Sequence, residues 1–450
     1  MASLAKTKQT KPLPSSHGAR PTTSICASVS QWPFSFDATE SLQFDHYVHR
    51  FARSCPTFAE AENPFLRVIL PLSVESRAVF DSLLTLGCVQ SWSNGTFLFE
   101  RSMLLSRQKA LRGCRVLIQE LGTASDTAPV IRDVSHLQST NGRQTLYLLM
   151  NCALLLLYEK LTGDLQESGS MHLDFLARML SRNALLQIAR KGGRNDLVSS
   201  SMGEALRFAV NLFLYNDFVL STSLQSKAFS ALYRTGTAED AQAAAGPELI
   251  DYSIQYGSRH VFPGIMTRIA AGDEGITDWD IARWDGNLGW LPSFALQPDC
   301  ERPVYWAIPV AVDAFVMGPE FKDLHEIVHV TSWSESCMTS ELYRIAGSMY
   351  RRQRAPAGSA PLTESESPIS CLGNLPGWSM QLLAALPVGS SFESSLLWPL
   401  GVIGKTLSTS YKSEREALLA RLESMDLQFH SKPLRGLVNH LKSYWATMDQ

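Results

Sequence analysis

Residues 62–76 read ENPFLRVILPLSVES, a short apolar run bracketed by Pro64 and Pro71. Asn63 suits the cap of a helix whose first residue is Pro64, because that position leaves its N–H unpaired and proline has none to lose. Pro71 falls inside the apolar pattern, so it is expected to end or kink this helix before Ser73 begins another. The stretch predicts two helical pieces meeting at an elbow, and the residues on either side extend the helical pattern.

Upstream, Phe44, Tyr47, Val48, Phe51 and Ala52 recur at three- and four-residue intervals, as one buried helix face does. Downstream the same spacing joins Val79, Phe80, Leu83 and Leu84, and then Leu111, Cys114, Leu117, Ile118 and Leu121. Residues 122–144 are polar and rich in breakers and read as a loop. Helices are expected from Thr145 to about Leu161, around His172 to Ser181, and from Met202 to Leu220. Near the C-terminus Ser413 and Glu416 have capping-box spacing, ahead of Leu418, Leu419, Leu422 and Met425. A last helix carries Leu434, Leu437, Val438, Leu441 and Trp445. No sustained alternation calls for a sheet, so the expected class is all-α.

Composition narrows the functional classes. A chain of 450 residues with 45% hydrophobic content can bury a large core, and a formal charge of −3 excludes a surface that is basic throughout. The eight cysteines are scattered, none nearer in sequence than Cys88 and Cys114, which is neither a disulfide framework nor a zinc-ligand spacing. They read as buried thiols of a reducing compartment. Residues 1–36 are rich in Ser, Thr, Pro and Lys with few large apolars, and read as a flexible tail without the apolar centre of a secretory signal. The run LYLLMNCALLLLY, Leu146 to Tyr158, falls short of the roughly 18 residues of a membrane span and reads as a buried core helix; no membrane partner is expected. Residues 37–450 are expected to form one helical domain, with a low-complexity loop over 355–368.

Two motifs resemble catalytic or nucleotide sites. HEIVH, 325–329, has the spacing that places His325 and His329 on zinc with Glu326 as general base. Asp323 lies beside it, Glu335 occupies the position where a third histidine ligand would fall, and Glu341 is the nearest helical substitute. An ordinary histidine pair on a helix is the favoured reading. PLGVIGKT, 399–406, ends like a phosphate-binding loop but has Pro399 where the first glycine belongs, so Gly404 reads as a point of close helix packing. Asn94 in SNGTF has glycosylation spacing without a secretory context. Trp279, Trp284, Trp290 and Trp306, interleaved with Asp278, Asp280 and Asp285, either anchor an irregular segment on the core or line a small-molecule pocket.

Taken in order, LQFDHYVHRFARSC, ENPFLRVILPLSVESRAVFDSLLTLGCVQ, LYLLMNCALLLLYEKLTGDLQESGSMHLDFLARML, FLYNDFVLSTS, FPGIMTRIAAG, ELYRIAGSMYRRQ and LLWPLGVIGKTL resemble the fungal-specific transcription factor domain, the regulatory domain of fungal zinc-cluster proteins. The resemblance runs from about Ser41 to Trp445 and includes the Leu-Pro-Leu elbow, His172 with Leu173, and Trp398, Pro399 and Gly404. After His172 and Leu173 this chain departs from the family pattern, with Asp174 and Phe175 where small residues are common. The resemblance implies an all-α regulatory domain in a nuclear, pathway-specific regulator, with specialised metabolism the commonest setting. The zinc cluster that such proteins use on DNA needs six cysteines beginning C-x-x-C, and no C-x-x-C occurs in this chain. DNA contact is therefore expected to be indirect, or weak and salt-sensitive through Lys6, Lys8, Lys11 and Arg20. The expected mode of action is through protein partners, without catalytic, metal or cofactor-binding residues. Two alternatives stay open: a zinc hydrolase built on 325–329, and a regulator sensing a small molecule through 279–306.

Overall fold

The computed structural model describes residues 33–35, 37–54, 63–93, 100–123, 131, 134–163, 170–182, 185, 188–189, 201–223, 266, 268–270, 272, 281, 335–354 and 375–450. Among them every regular element is helical, as the periodicity predicts. Phe36–Gln450 forms one compact unit.

Helix α1, Ala38–His46, begins at Asp37, whose side chain accepts from Glu40 N–H at 2.8 Å while Glu40 accepts back from Asp37 N–H at 3.2 Å. It runs on through a π-helical turn, Tyr47–Phe51, and Ala52–Ser54. Phe44, Tyr47, Val48, Phe51 and Ala52 are all buried, the face that their spacing predicts.

The elbow follows. Asn63 is buried and does two things: its Oδ1 accepts from Phe65 N–H at 2.9 Å, and its Nδ2 donates to Ala52 O at 2.6 Å. It thus caps the new helix and ties that start to the end of the previous one. A π-helical turn, Phe65–Ile69, leads into α2, Leu70–Glu75. Pro71 does not break the chain where expected. It falls in the first turn after the π-helical stretch, where a missing N–H costs little, and Ser73 lies inside α2. The bend comes at Ser76, extended at φ −133°, ψ 113°, before α3, Arg77–Ser93.

Helix α3 packs against α4, Glu100–Thr123, and α5, Thr140–Thr162. The apolar spacing misassigned one edge of α4. Its buried stripe is Met103, Ser106, Ala110, Cys114 and Leu117, whereas Ile118 is 44% exposed. Small residues make this stripe because α3 comes close: a Cβ on Gly113 would lie 2.5 Å from the Ala78 Cβ. Helix α5 starts five residues before the expected Thr145. Ser139 Oγ accepts from Gly142 N–H at 3.1 Å, and Gly142 passes so near His136 that a Cβ would sit 2.0 Å from its carbonyl oxygen. The glycine that reads as a breaker is a point of contact. Helix α5 is long and apolar enough to cross a membrane by length and composition, but 89% of its most apolar window is buried within the protein, so it is the core helix expected. It ends at Gly163, in the left-handed conformation at φ 78°.

Helices α6, Ser170–Arg182, and α7, Ser201–Ser223, complete the first group. Helix α7 serves two cores. Near its start Phe208 meets Phe65 edge-on at 5.3 Å, and near its end Phe218 meets Trp398 at 4.7 Å. The second core comprises α8, Glu335–Arg354, α9, Leu375–Ala385, α10, Leu397–Thr406, α11, Lys412–Phe429, and α12, Lys432–Met448. Leu418, Leu422 and Met425 of α11 face this core, as do Leu434, Val438, Leu441 and Trp445 of α12. The capping box expected at Ser413 is not formed. Tyr411 occupies the cap position, and Ser413 Oγ instead donates to Glu414 Oε2 at 2.7 Å.

Candidate functional site

His325, Glu326 and His329 lie outside the described residues, as do Trp279, Trp284, Trp290, Trp306 and the loop 355–368. The flanks of the zinc-like motif are visible. Glu335 opens α8, and Glu341 faces the core, 1% exposed, with Arg344 Nη1 at 3.0 Å from its carboxylate. Burial pushes the Glu341 carboxyl up to about 7, against the pull of Arg344. Its carboxylate is thus committed to an internal pair. Among the described residues no group of three or more His, Cys, Asp or Glu is placed to hold a metal ion.

GVIGKT lies within α10, and its glycine does what the sequence predicts. A Cβ on Gly404 would meet both δ-carbons of Leu441 at 2.8 Å, so the backbone of α10 closes directly on α12. Trp398 sits at the centre of an aromatic box, stacked on Tyr343 at 5.9 Å with Phe218 at 4.7 Å and Tyr350 at 6.1 Å. The Tyr343 hydroxyl donates to Ser395 O.

The first group of helices is keyed by buried polar side chains that sequence reasoning missed. Glu40 of α1 accepts from Lys109 Nζ of α4 at 2.7 Å and from Arg77 of α3, whose Nε also donates to Asp81 at 3.0 Å. Desolvation raises the Asp81 carboxyl to about 6 despite Arg77 and Lys109. Gln43 donates from Nε2 to Cys88 Sγ at 3.1 Å and accepts from Ser106 Oγ at 3.2 Å. Asn151 of α5, fully buried, donates to Ala110 O at 3.1 Å and accepts from the Ser82 hydroxyl. Arg107 donates from Nε and Nη2 to Glu159 Oε1, at 3.1 and 2.6 Å. The available signal was Glu40, Gln43, Asp81 and Asn151 standing at apolar positions of helical stripes. Cys114 and Cys152 lie with their sulfurs 3.7 Å apart, buried as free thiols, as the scattered cysteines predict. None of these arrangements activates a nucleophile against an open cleft. They fix the register of four helices.

What remains accessible is surface. Helix α4 turns outward a stripe of Arg101, Leu104, Leu105, Arg112, Arg115 and Val116, all exposed, and an open groove of about 530 Å³ borders Glu100, Arg101, Leu104, Leu105 and Gln108. This geometry suits recognition of another molecule by shape and charge.

No curated protein and no solved structure matches the chain. The fungal specific transcription factor domain matches residues 42–262, which take in the elbow, the polar interlock apart from Glu40, the exposed stripe of α4 and the shared helix α7. With the helical architecture and the elbow in place, residues 42–262 carry a fungal specific transcription factor domain, which supports a role in transcriptional regulation.

Proposed function

We propose that this chain is a nuclear, non-enzymatic regulator of a pathway-specific set of genes, in a setting of specialised metabolism, and that it reaches its promoters through protein partners. The observation that carries the reading is the family match over residues 42–262, joined to a 450-residue sequence without a C-x-x-C. Within this chain base reading by a zinc cluster has no ligands to build on. Any phosphate contact by the four basic residues Lys6, Lys8, Lys11 and Arg20 would weaken steeply with salt and would not select a sequence, and their simplest role is solubility.

Gel shifts on promoters of neighbouring genes test this directly. The chain alone is expected to give no sequence-specific shift at physiological salt, while chromatin association in cells survives deletion of residues 1–33 once nuclear import is restored. A specific shift by the purified chain would overturn the partner mechanism. Elemental analysis separates the hydrolase alternative: about one zinc per chain, lost on His325→Ala with His329→Ala, would promote it, and Glu326→Gln would then test catalysis.

A further inference from the structure

Helix α4 is amphipathic in an unusual sense, because its outward side is not simply polar. Four of the nine large apolar side chains that stand exposed among the described residues belong to it: Leu104 at 50%, Leu105 at 48%, Val116 at 50% and Ile118 at 44%. Three of these share their side of the helix with arginines. Around the 3.6-residue turn, Arg101, Leu104, Leu105, Arg112, Arg115 and Val116 fall opposite the buried stripe of Met103, Ala110, Cys114 and Leu117. From Arg101 to Gln119 the helix carries no acidic residue, and Arg101, Arg112 and Arg115 make no ion pair among the described residues. The groove beside Leu104 and Leu105 gives the stripe a concave end.

We infer that this stripe of α4 is a docking surface for an acidic amphipathic helix of a protein partner, whose apolar face covers Leu104, Leu105 and Val116 and whose carboxylates reach Arg101, Arg112 and Arg115. The inference rests on the partner-mediated reading above and names the chemistry of the partner. From Arg101 to Val116 the surface runs about 22 Å at 1.5 Å per residue, which is about four turns of a helix lying along it. Apolar anchors flanked by charge of one sign are what such a helix requires.

Charge and apolarity together select this occupant. The chain's own residues 1–36 contain Lys6, Lys8, Lys11 and Arg20 and no acidic residue, so they repel the stripe. Duplex DNA would match the arginines, but phosphates gain nothing from exposed leucines and a valine at the centre of the contact.

The test is fluorescence anisotropy on the full chain with three probes: a labelled acidic amphipathic peptide with leucines on one face and glutamates beside them, the same peptide with lysines for glutamates, and a duplex DNA. The acidic peptide is expected to bind. Arg112→Glu with Arg115→Glu, and separately Leu104→Ser with Leu105→Ser, are expected to weaken it about tenfold or more, with thermal melts unchanged because all four side chains are exposed. The lysine peptide is expected to bind the doubly reversed variant better than the parent chain. Binding of the acidic peptide that ignores both variants overturns the proposal. So does DNA as the preferred probe, or a parent dimer that the Leu104→Ser, Leu105→Ser variant dissociates in sedimentation, which would make the occupant a second copy. In cells the two levels separate: absence of the parent chain from chromatin sinks the partner-mediated reading, whereas undiminished chromatin association of the doubly reversed variant sinks only this surface.

Discussion

Trp445 of α12 donates its indole N–H to the carbonyl oxygen of Gly404 in α10, at 2.9 Å, where the α10 backbone lies against Leu441. One contact joins three needs: a carbonyl near a helix end gains a donor, a buried indole gains an acceptor, and two helices come close enough for both.

Gly404→Ala is therefore expected to destabilise the protein by about 1–3 kcal/mol, because the added methyl meets Leu441 and Leu418, both fully buried. Gly436→Ala is the control. Its Cβ meets nothing within 4 Å, so relief of glycine's entropy cost is expected to raise stability by about 0.5–1 kcal/mol. Denaturant titrations of both variants measure the contrast, and equal effects would contradict the packing.

The aromatic box makes Trp398 a keystone of the second core. Trp398→Ala removes a side chain that is 4% exposed and touches Phe218, Tyr343 and Tyr350, and is expected to cost about 3–5 kcal/mol. Leu72→Asp places an unpaired carboxylate at a site that is 5% exposed in the elbow, with a penalty of similar size. Melting midpoints unchanged in either variant would contradict the architecture.

Arg107 and Glu159 form a pair in which the carboxylate is 1% exposed. Arg107→Met removes two donors from that buried carboxylate and is expected to cost about 3–5 kcal/mol, whereas Arg107→Met combined with Glu159→Met is expected to recover most of the loss. A double variant as unstable as the single one would show that the pair contributes more than the apolar packing replacing it.

His172 sets an acid sensitivity. Burial, and then the charge of Arg107, lower its pKa from 6.5 to about 4, so the folded state holds the ring neutral where the unfolded chain protonates it. The unfolded state then binds more protons, and stability present above pH 6.5 is lost as pH falls toward 4. Asp81 acts oppositely, because its raised pKa makes its contribution largest at low pH and lost as pH rises through about 6. His172→Asn is expected to lose about 1–2 kcal/mol less than the parent between pH 8 and pH 5, as read from urea midpoints at the two pH values. Equal losses would mean that the ring titrates in the fold as it does in the unfolded chain, and would contradict its burial beside Arg107.

Much of this protein is determined by spacing alone. The buried faces at Phe44 to Ala52 and at Val79 to Leu84, the cap at Asn63 and the close packing at Gly404 follow from side chains recurring every three to four residues and from backbone groups that need partners at helix ends. Tertiary structure decided the rest. It moved the bend from Pro71 to Ser76 by way of a π-helical turn, and it started α5 at Thr140 because Gly142 must pass close to His136. It buried Glu40, Asp81, Asn151 and Glu159 with partners 30 or more residues away in most cases, as for Arg77 with Glu40 at a separation of 37. It also left Leu104, Leu105 and Val116 of α4 uncovered, although they are as apolar as their buried neighbours. The reason is common to all of these: periodicity says which side chains share a face, whereas whether that face meets another helix, a charge or solvent depends on residues distant in the chain.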